Sequence, residues 1–205
     1  MPDLTLLAVF IPTFFLVSVT PGMCMTLAMT LGMSIGVRKT LWMMVGELIG
    51  VAIVAIAAVM GVASIMLNYP NVFTAFKFAG AAYLIYLGIK QWRAKTKLTL
   101  DEQQTILTKR SNLFNQGLIT ALANPKGWAF MVTLLPPFIN VEQNLTIQMI
   151  GLLTIILLSE FSCMLLYATG GKSLRIVLNR NDNMKWLNRI AGGLLIIVGF
   201  WLAMS

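Results

Sequence analysis

Six apolar stretches, each long enough to cross a bilayer, constrain this chain more than any other feature. About 20 mainly apolar residues are needed to cross roughly 30 Å of hydrocarbon. Such stretches run from about Leu4 to Leu31, Leu41 to Met66, Val72 to Trp92, Leu113 to Ile139, Thr146 to Ala168 and Trp186 to Met204. They predict an all-α polytopic membrane protein. Two of them are interrupted, the first at Pro21-Gly22 and the fourth at Asn124-Pro125. Proline removes a backbone donor and clashes with the preceding turn. The groups it frees are costly in hydrocarbon unless protein or cavity water satisfies them.

Composition agrees. Hydrophobic residues make up 58% of the chain and charged residues 11%, where a soluble domain carries about a quarter charged. The 15 Lys and Arg exceed the 7 Asp and Glu, but they sit in short gaps between apolar stretches. That pattern fits a membrane surface and not nucleic acid. The chain has no histidine, which removes the commonest proton carrier near neutral pH. Cys24 and Cys163 lie far apart without a CxxC partner, against zinc and against a disulfide framework. No metal or other cofactor is expected, and nothing calls for covalent catalysis, so the chain does not read as an enzyme. The start, Met-Pro-Asp, lacks the positive residues of a secretory leader, so the first stretch is expected to be a retained helix.

The connections set the orientation. Arg38 and Lys39 follow the first stretch. Arg93, Lys95, Lys97, Lys109 and Arg110 follow the third, and Lys172, Arg175, Arg180 and Lys185 follow the fifth. The second connection, around Tyr69, has no basic residue, and the fourth has only Glu142. Basic loops stay cytoplasmic, which predicts a bacterial inner-membrane protein with both termini periplasmic. Trp42, Trp92 and Trp186 then fall at cytoplasmic ends and Tyr69 and Trp201 at outer ends, as interfacial aromatics should.

Cutting the chain in its longest polar connection leaves residues 1–92 as one three-helix repeat and 113–205 as another, with 93–112 as a cytoplasmic linker. An odd number of spans per half makes the two repeats inverted. The breaks correspond, and FAGAAYLIYLG from Phe78 to Gly88 corresponds to IAGGLLIIVG from Ile190 to Gly199. Matched interrupted helices tend to line the substrate site of secondary transporters. The expected substrate-binding residues are therefore Pro21, Gly22, Asn124, Pro125 and Lys126. A half-helix N-terminus there offers donors to a carboxylate.

Glu47, Lys126 and Glu160 fall within spans, at about 2.5–3.5 kcal/mol each at a helix centre, so they need partners or water. Lys126 suits a substrate carboxylate or a glutamate. Glu47 and Glu160 suit a substrate ammonium or a proton. Lys77 reads as a snorkelling residue. Gly32-x-x-x-Gly36 and Gly46-x-x-x-Gly50 allow close helix approach.

These residues together resemble the lysine-exporter (LysE/RhtB) family of bacterial amino-acid exporters. The resemblance rests on Thr20-Pro21-Gly22, Gly46 and Gly50, the run from Ala79 to Gly88, NPKGWAF from Asn124 to Phe130, LPPF from Leu135 to Phe138, and the AGGLLIIVG ending. It implies six spans and export of amino acids or close analogues driven by the proton-motive force, with an amino acid, protons and the bilayer as partners. A homodimer is compatible with so small a transporter. The chain departs from the family where Met23-Cys24 follows Pro21-Gly22 and where Val51 follows Gly50. Two other readings compete. A membrane thiol–disulfide electron carrier would use Cys24 beside the first break, but Trp128 occupies the matching place in the fourth stretch. A non-transporting assembly subunit leaves the buried charges and matched breaks without a role.

Overall fold

The structure, a computed structural model, describes residues 4–68, 70–94, 109–139, 143–179 and 183–204. All regular structure among them is helical. In chain order the helices are α1 (Leu4–Val19), α2 (Met23–Ile35), α3 (Val37–Asn68), α4 (Pro70–Arg93), α5 (Arg110–Leu122), α6 (Pro125–Leu134), α7 (Leu145–Asn179) and α8 (Asn183–Met204), with a 3₁₀ turn at Pro136–Phe138 before α7.

Both expected breaks are present. The first stretch divides into α1 and α2 at Pro21-Gly22, and the fourth into α5 and α6 at Asn124-Pro125. Pro12 lies inside α1 without ending it. Pro21 differs because Gly22 follows it in extended backbone, φ −138° and ψ −168°, so the helix cannot resume in register. Segments Val37–Gly61 and Leu145–Gly171 are each long and apolar enough to cross a membrane. The bent pair Ala8–Val19 and Met23–Ile35, which turns by 55° at its break, forms a third such span if taken as one.

Apolar side chains exposed on the outside, among them Ile49, Ile53 and Met60 of α3, Ile150 and Leu158 of α7 and Ile197 of α8, give the bundle the surface of a membrane protein. Inside are two apolar clusters. One gathers Phe10, Phe14, Val54, Leu84, Phe130, Leu152 and Leu195. The other gathers Met25, Met29, Met43, Leu113, Met164 and Tyr167.

Helices with no hydrophobic force between them associate through close packing of small residues. The α3–α5 seam is built this way from both sides. A Cβ on Gly46 would collide with the Phe114 carbonyl, and one on Gly117 with the Met43 carbonyl. One turn further on, a Cβ on Gly50 would lie 2.6 Å from the Ala121 methyl. The α4–α8 seam repeats the device: a Cβ on Gly88 would lie 2.7 Å from the Gly192 carbonyl, and one on Gly192 2.6 Å from that of Gly88.

Two connections are shorter than the charge pattern implies. Arg38 and Lys39 stand in the first turn of α3, because Gly36 alone, at φ 83°, turns the chain out of α2. Lys172 and Arg175 lie on α7, which continues to Asn179 past a kink at Gly171, φ 40°. Left-handed backbone of this kind favours glycine over any residue with a Cβ. Most of the expected linker, with Lys95, Lys97, Asp101 and Glu102, lies outside the described residues, as do Tyr69, Glu142, Arg180 and the side chain of Lys77.

Overpacking a tight helix seam costs about 1–3 kcal/mol or more. Gly46→Val and Gly117→Val should therefore each lower the thermal unfolding midpoint of the detergent-solubilised protein. Gly61→Ala, where an added Cβ meets nothing within 4 Å, should leave it unchanged or raise it. Equal midpoints for all three would show that the α3–α5 seam does not hold the bundle together.

Candidate functional site

The end of α1 exposes the carbonyls that a continuing helix would have used. Val17 is four residues before Pro21, so its carbonyl has no helical donor at that position. It accepts instead from the Thr20 backbone N–H at 3.2 Å and from the Lys126 ammonium at 3.2 Å. Lys126 Nζ also donates to the Thr20 carbonyl at 3.4 Å. The Thr20 hydroxyl donates to the Leu16 carbonyl at 2.8 Å, and the Tyr167 hydroxyl of α7 donates to the Val19 carbonyl at 2.9 Å. Four freed acceptors are thus satisfied, three of them by two side chains from the second half of the sequence, Lys126 and Tyr167.

The second break is closed differently. The Asn124 side chain caps α6 by accepting from the Lys126 backbone N–H at 3.1 Å, with Pro125 in the first turn where no donor is needed. Trp128 Nε1 donates to the Leu122 carbonyl at 2.8 Å. Asn124 Nδ2 also points at Cys24 Sγ, 3.6 Å away, which links the two breaks directly. The start of α2, by contrast, has no side-chain cap.

Between the breaks, at the seam of the two apolar clusters, lies a cavity of about 60 Å³. Its polar wall consists of Ser18, Thr20, Glu47, Asn124, Lys126 and Glu160, and Gly22 and Cys24 also line it. Phe14, Val51, Val54, Phe130 and Met131 are among the apolar residues of the wall. Lys126 runs beside Gly22, where a Cβ would lie 3.9 Å from its Cδ, and its ammonium is 5.8 Å from the centre of the Phe130 ring, within range of cation–π attraction. Glu160 accepts from the Ser18 hydroxyl at 2.8 Å. Glu47 is 1% exposed, and its Oε2 has no hydrogen-bond partner. A buried charged oxygen without a partner is costly, so this atom is the most demanding acceptor on the wall.

Of the residues singled out in the sequence, Gly22, Glu47, Asn124, Lys126 and Glu160 meet on this one cavity. Pro21 and Pro125 are not on its wall; they set the breaks that shape it. Ser18, Thr20 and Tyr167 were not anticipated as site residues, Thr20 standing out only as part of the Thr20-Pro21-Gly22 motif. The only local sign of the first two was a pair of hydroxyls, Ser18 and Thr20, in the last turn before Pro21. Tyr167 gave none. Among the described residues no group of acidic, thiol or imidazole side chains is arranged to hold a metal, and both cysteines are free and buried.

A family model described as LysE type translocator matches residues 15–205. The chain is 32% identical over 199 residues to the homoserine/homoserine lactone efflux protein of Salmonella typhimurium, covering 95% of this chain and 94% of that one. It is 30% identical over 160 residues to an uncharacterized membrane protein, YrhP, of Bacillus subtilis, covering 74% and 76%. It is 28% identical over 182 residues to the leucine efflux protein of Klebsiella pneumoniae, covering 88% and 85%. No solved structure matches the chain.

Orphaning a buried acceptor costs about 1–3 kcal/mol. Tyr167→Phe, which strips the Val19 carbonyl of its donor, should lower the thermal midpoint in detergent. Thr154→Val should not, since the Thr154 hydroxyl bonds Ile150 within its own exposed helical turn. A Tyr167→Phe midpoint equal to wild type would mean that water takes over at the break.

Proposed function

Because the chain belongs to the LysE type translocator family, we propose that it exports amino acids or close analogues from the cytoplasm across the bacterial inner membrane. The observation that carries this reading is the charge arrangement of the cavity between the breaks. Lys126 stands on it beside the uncapped start of α2, and Glu47 and Glu160 stand on it as acids. A zwitterionic amino acid carries the complementary pair. Its carboxylate suits Lys126 and the first donors of α2, and its ammonium suits Glu47 Oε2, the acceptor left without a partner. Efflux of homoserine and leucine is named for two of the relatives, and both are α-amino acids. No geometry favours an electron carrier.

The membrane arrangement we infer has six spans: α1 with α2, α3, α4, α5 with α6, α7, and α8. Exchanging the two halves of the chain converts several helix contacts into one another, which supports an inverted repeat of residues 1–92 and 113–205. α3 packs on α5 as α7 packs on α1, α2 packs on α7 as α6 packs on α3, and α4 with α8 and α3 with α7 pair across the axis. The basic ends face the cytoplasm. There Arg110 lies 5.3 Å from the Trp42 ring and Arg189 5.9 Å from the Trp186 ring, which combines basic and interfacial aromatic residues at one boundary. Transport proceeds by alternating access around the breaks. A proton taken up at Glu47 or Glu160 as the substrate ammonium leaves couples export to the proton-motive force.

Removing one partner of a buried charge interaction costs about 2–5 kcal/mol. Cells preloaded with labelled amino acids should lose one or a few of them selectively when the protein is expressed, and an uncoupler should abolish that loss. Lys126→Ala and Glu160→Gln should each slow the efflux by at least about tenfold, the equivalent of 1.4 kcal/mol. Normal efflux in both variants would remove this cavity from the transport path. No efflux of any amino acid in wild type would remove the substrate class.

A further inference from the structure

Lys126 separates two cavities of opposite character. The one described above holds two acids. The second has a volume of about 260 Å³ and lies between α1, α4, α6 and α8. Its polar wall is Thr20, Lys90, Gln91 and Lys126, and Leu87 and Leu195 are among its apolar residues. Among the described residues, two lysines and no acid line it. Gln91 Nε2 donates to Asn188 Oδ1 at 2.8 Å, and Asn188 Nδ2 to the Ala94 carbonyl at 3.2 Å, so α4 and α8 are tied together beside the cavity by a partly buried amide pair. Gln91 and Ala94 stand on its wall at the end of α4 that leads into the basic connection.

We propose that this second cavity is a cytoplasmic antechamber that binds the carboxylate of the outgoing substrate before the inner cavity takes it. The naming of the substrate rests on the exporter reading above; the anion preference rests on the cavity itself. Like charges inside low-dielectric walls focus their field and raise the local concentration of the opposite ion. The Lys126 ammonium is held by two neutral carbonyls, Val17 at 3.2 Å and Thr20 at 3.4 Å, whereas a carboxylate offers an anionic oxygen that a charged donor holds at about 2.7–2.9 Å. A carboxylate arriving from the antechamber is therefore a better partner than the carbonyls Lys126 would leave. Selection then has two stages. The antechamber admits small carboxylates in general, and the inner cavity, with Glu47 and Glu160, passes only those that also carry an ammonium.

Cysteines placed on the antechamber wall, Leu87→Cys on α4 and Leu195→Cys on α8, report on it without requiring transport. Each is exposed to anionic and to cationic methanethiosulfonate reagents in inside-out and right-side-out membrane vesicles. Rates are normalised to those of a free thiol, and the wild-type protein with Cys24 and Cys163 sets the background. Labelling should be faster in inside-out vesicles. The normalised anionic rate should exceed the cationic by about tenfold, and Lys90→Gln should shrink that ratio several-fold. Two reporters on different helices keep the test decisive if one variant fails to fold. Labelling confined to right-side-out vesicles, or a cationic rate equal to the anionic, would overturn the proposal. Anion-selective labelling in a protein that exports no amino acid would uphold the antechamber while sinking the amino-acid reading.

Discussion

The contact between Lys126 and the open end of α1 is the interaction on which the rest of this structure depends. A proline in an apolar span leaves acceptors that lipid cannot satisfy, and a lysine in an apolar span is a charge that lipid cannot solvate. Each defect is costly alone. Here each meets part of the other's need, with the ammonium seated on the Val17 and Thr20 carbonyls. The same contact fixes α6 against α1 and so holds the two breaks face to face. A cavity follows from it, because helices that stop midway cannot fill the space that their continuation would have occupied.

That arrangement also explains why the acids are tolerated. Glu160 is oriented by Ser18 in the last turn of α1, and Glu47 faces the same cavity from α3. The charge of Lys126 lies on the wall they share. Burial of ionic groups rarely adds stability by itself, and the partnerless oxygen of Glu47 is a cost that a purely structural network would avoid. The site for a dipolar ligand proposed above would account for that cost.

Much of this was legible in the residues, for definite reasons. Breaks are visible because proline and glycine act locally, and Glu47, Lys126 and Glu160 stand out because the surrounding apolar residues make any charge conspicuous. What escaped sequence reading was pairing at long range. Ser18 meets Glu160 across 142 positions and Tyr167 meets Val19 across 148, and neither hydroxyl looks unusual in its own helix. Gly46 and Gly50 could be read as a close-packing face, but the complementary Gly117 and Ala121 of α5 lack the repeated glycine that drew notice in α3. Helix ends were misplaced where charge was taken as a sign of a loop. Arg38 and Lys39 are in a helix, because a single glycine with positive φ is enough to turn the chain.

The interlocked glycine seams limit how this molecule can move. α3 is locked to α5 and α4 to α8 backbone against backbone, and each of those pairs joins a helix from the first 93 residues to one from the last 96. Two halves stitched across in this way cannot swing apart as a clamshell without unpicking contacts that tolerate no Cβ. α2 is held to α7 by the same device, since a Cβ on Gly32 would collide with the Ala168 carbonyl, and the pieces outside these seams are α1 and α6, which border the breaks at Pro21-Gly22 and Asn124-Pro125. In the transport reading proposed above, the scaffold is a rigid frame and the broken helices its shutters, so that a passage on one side would open while the frame stays still.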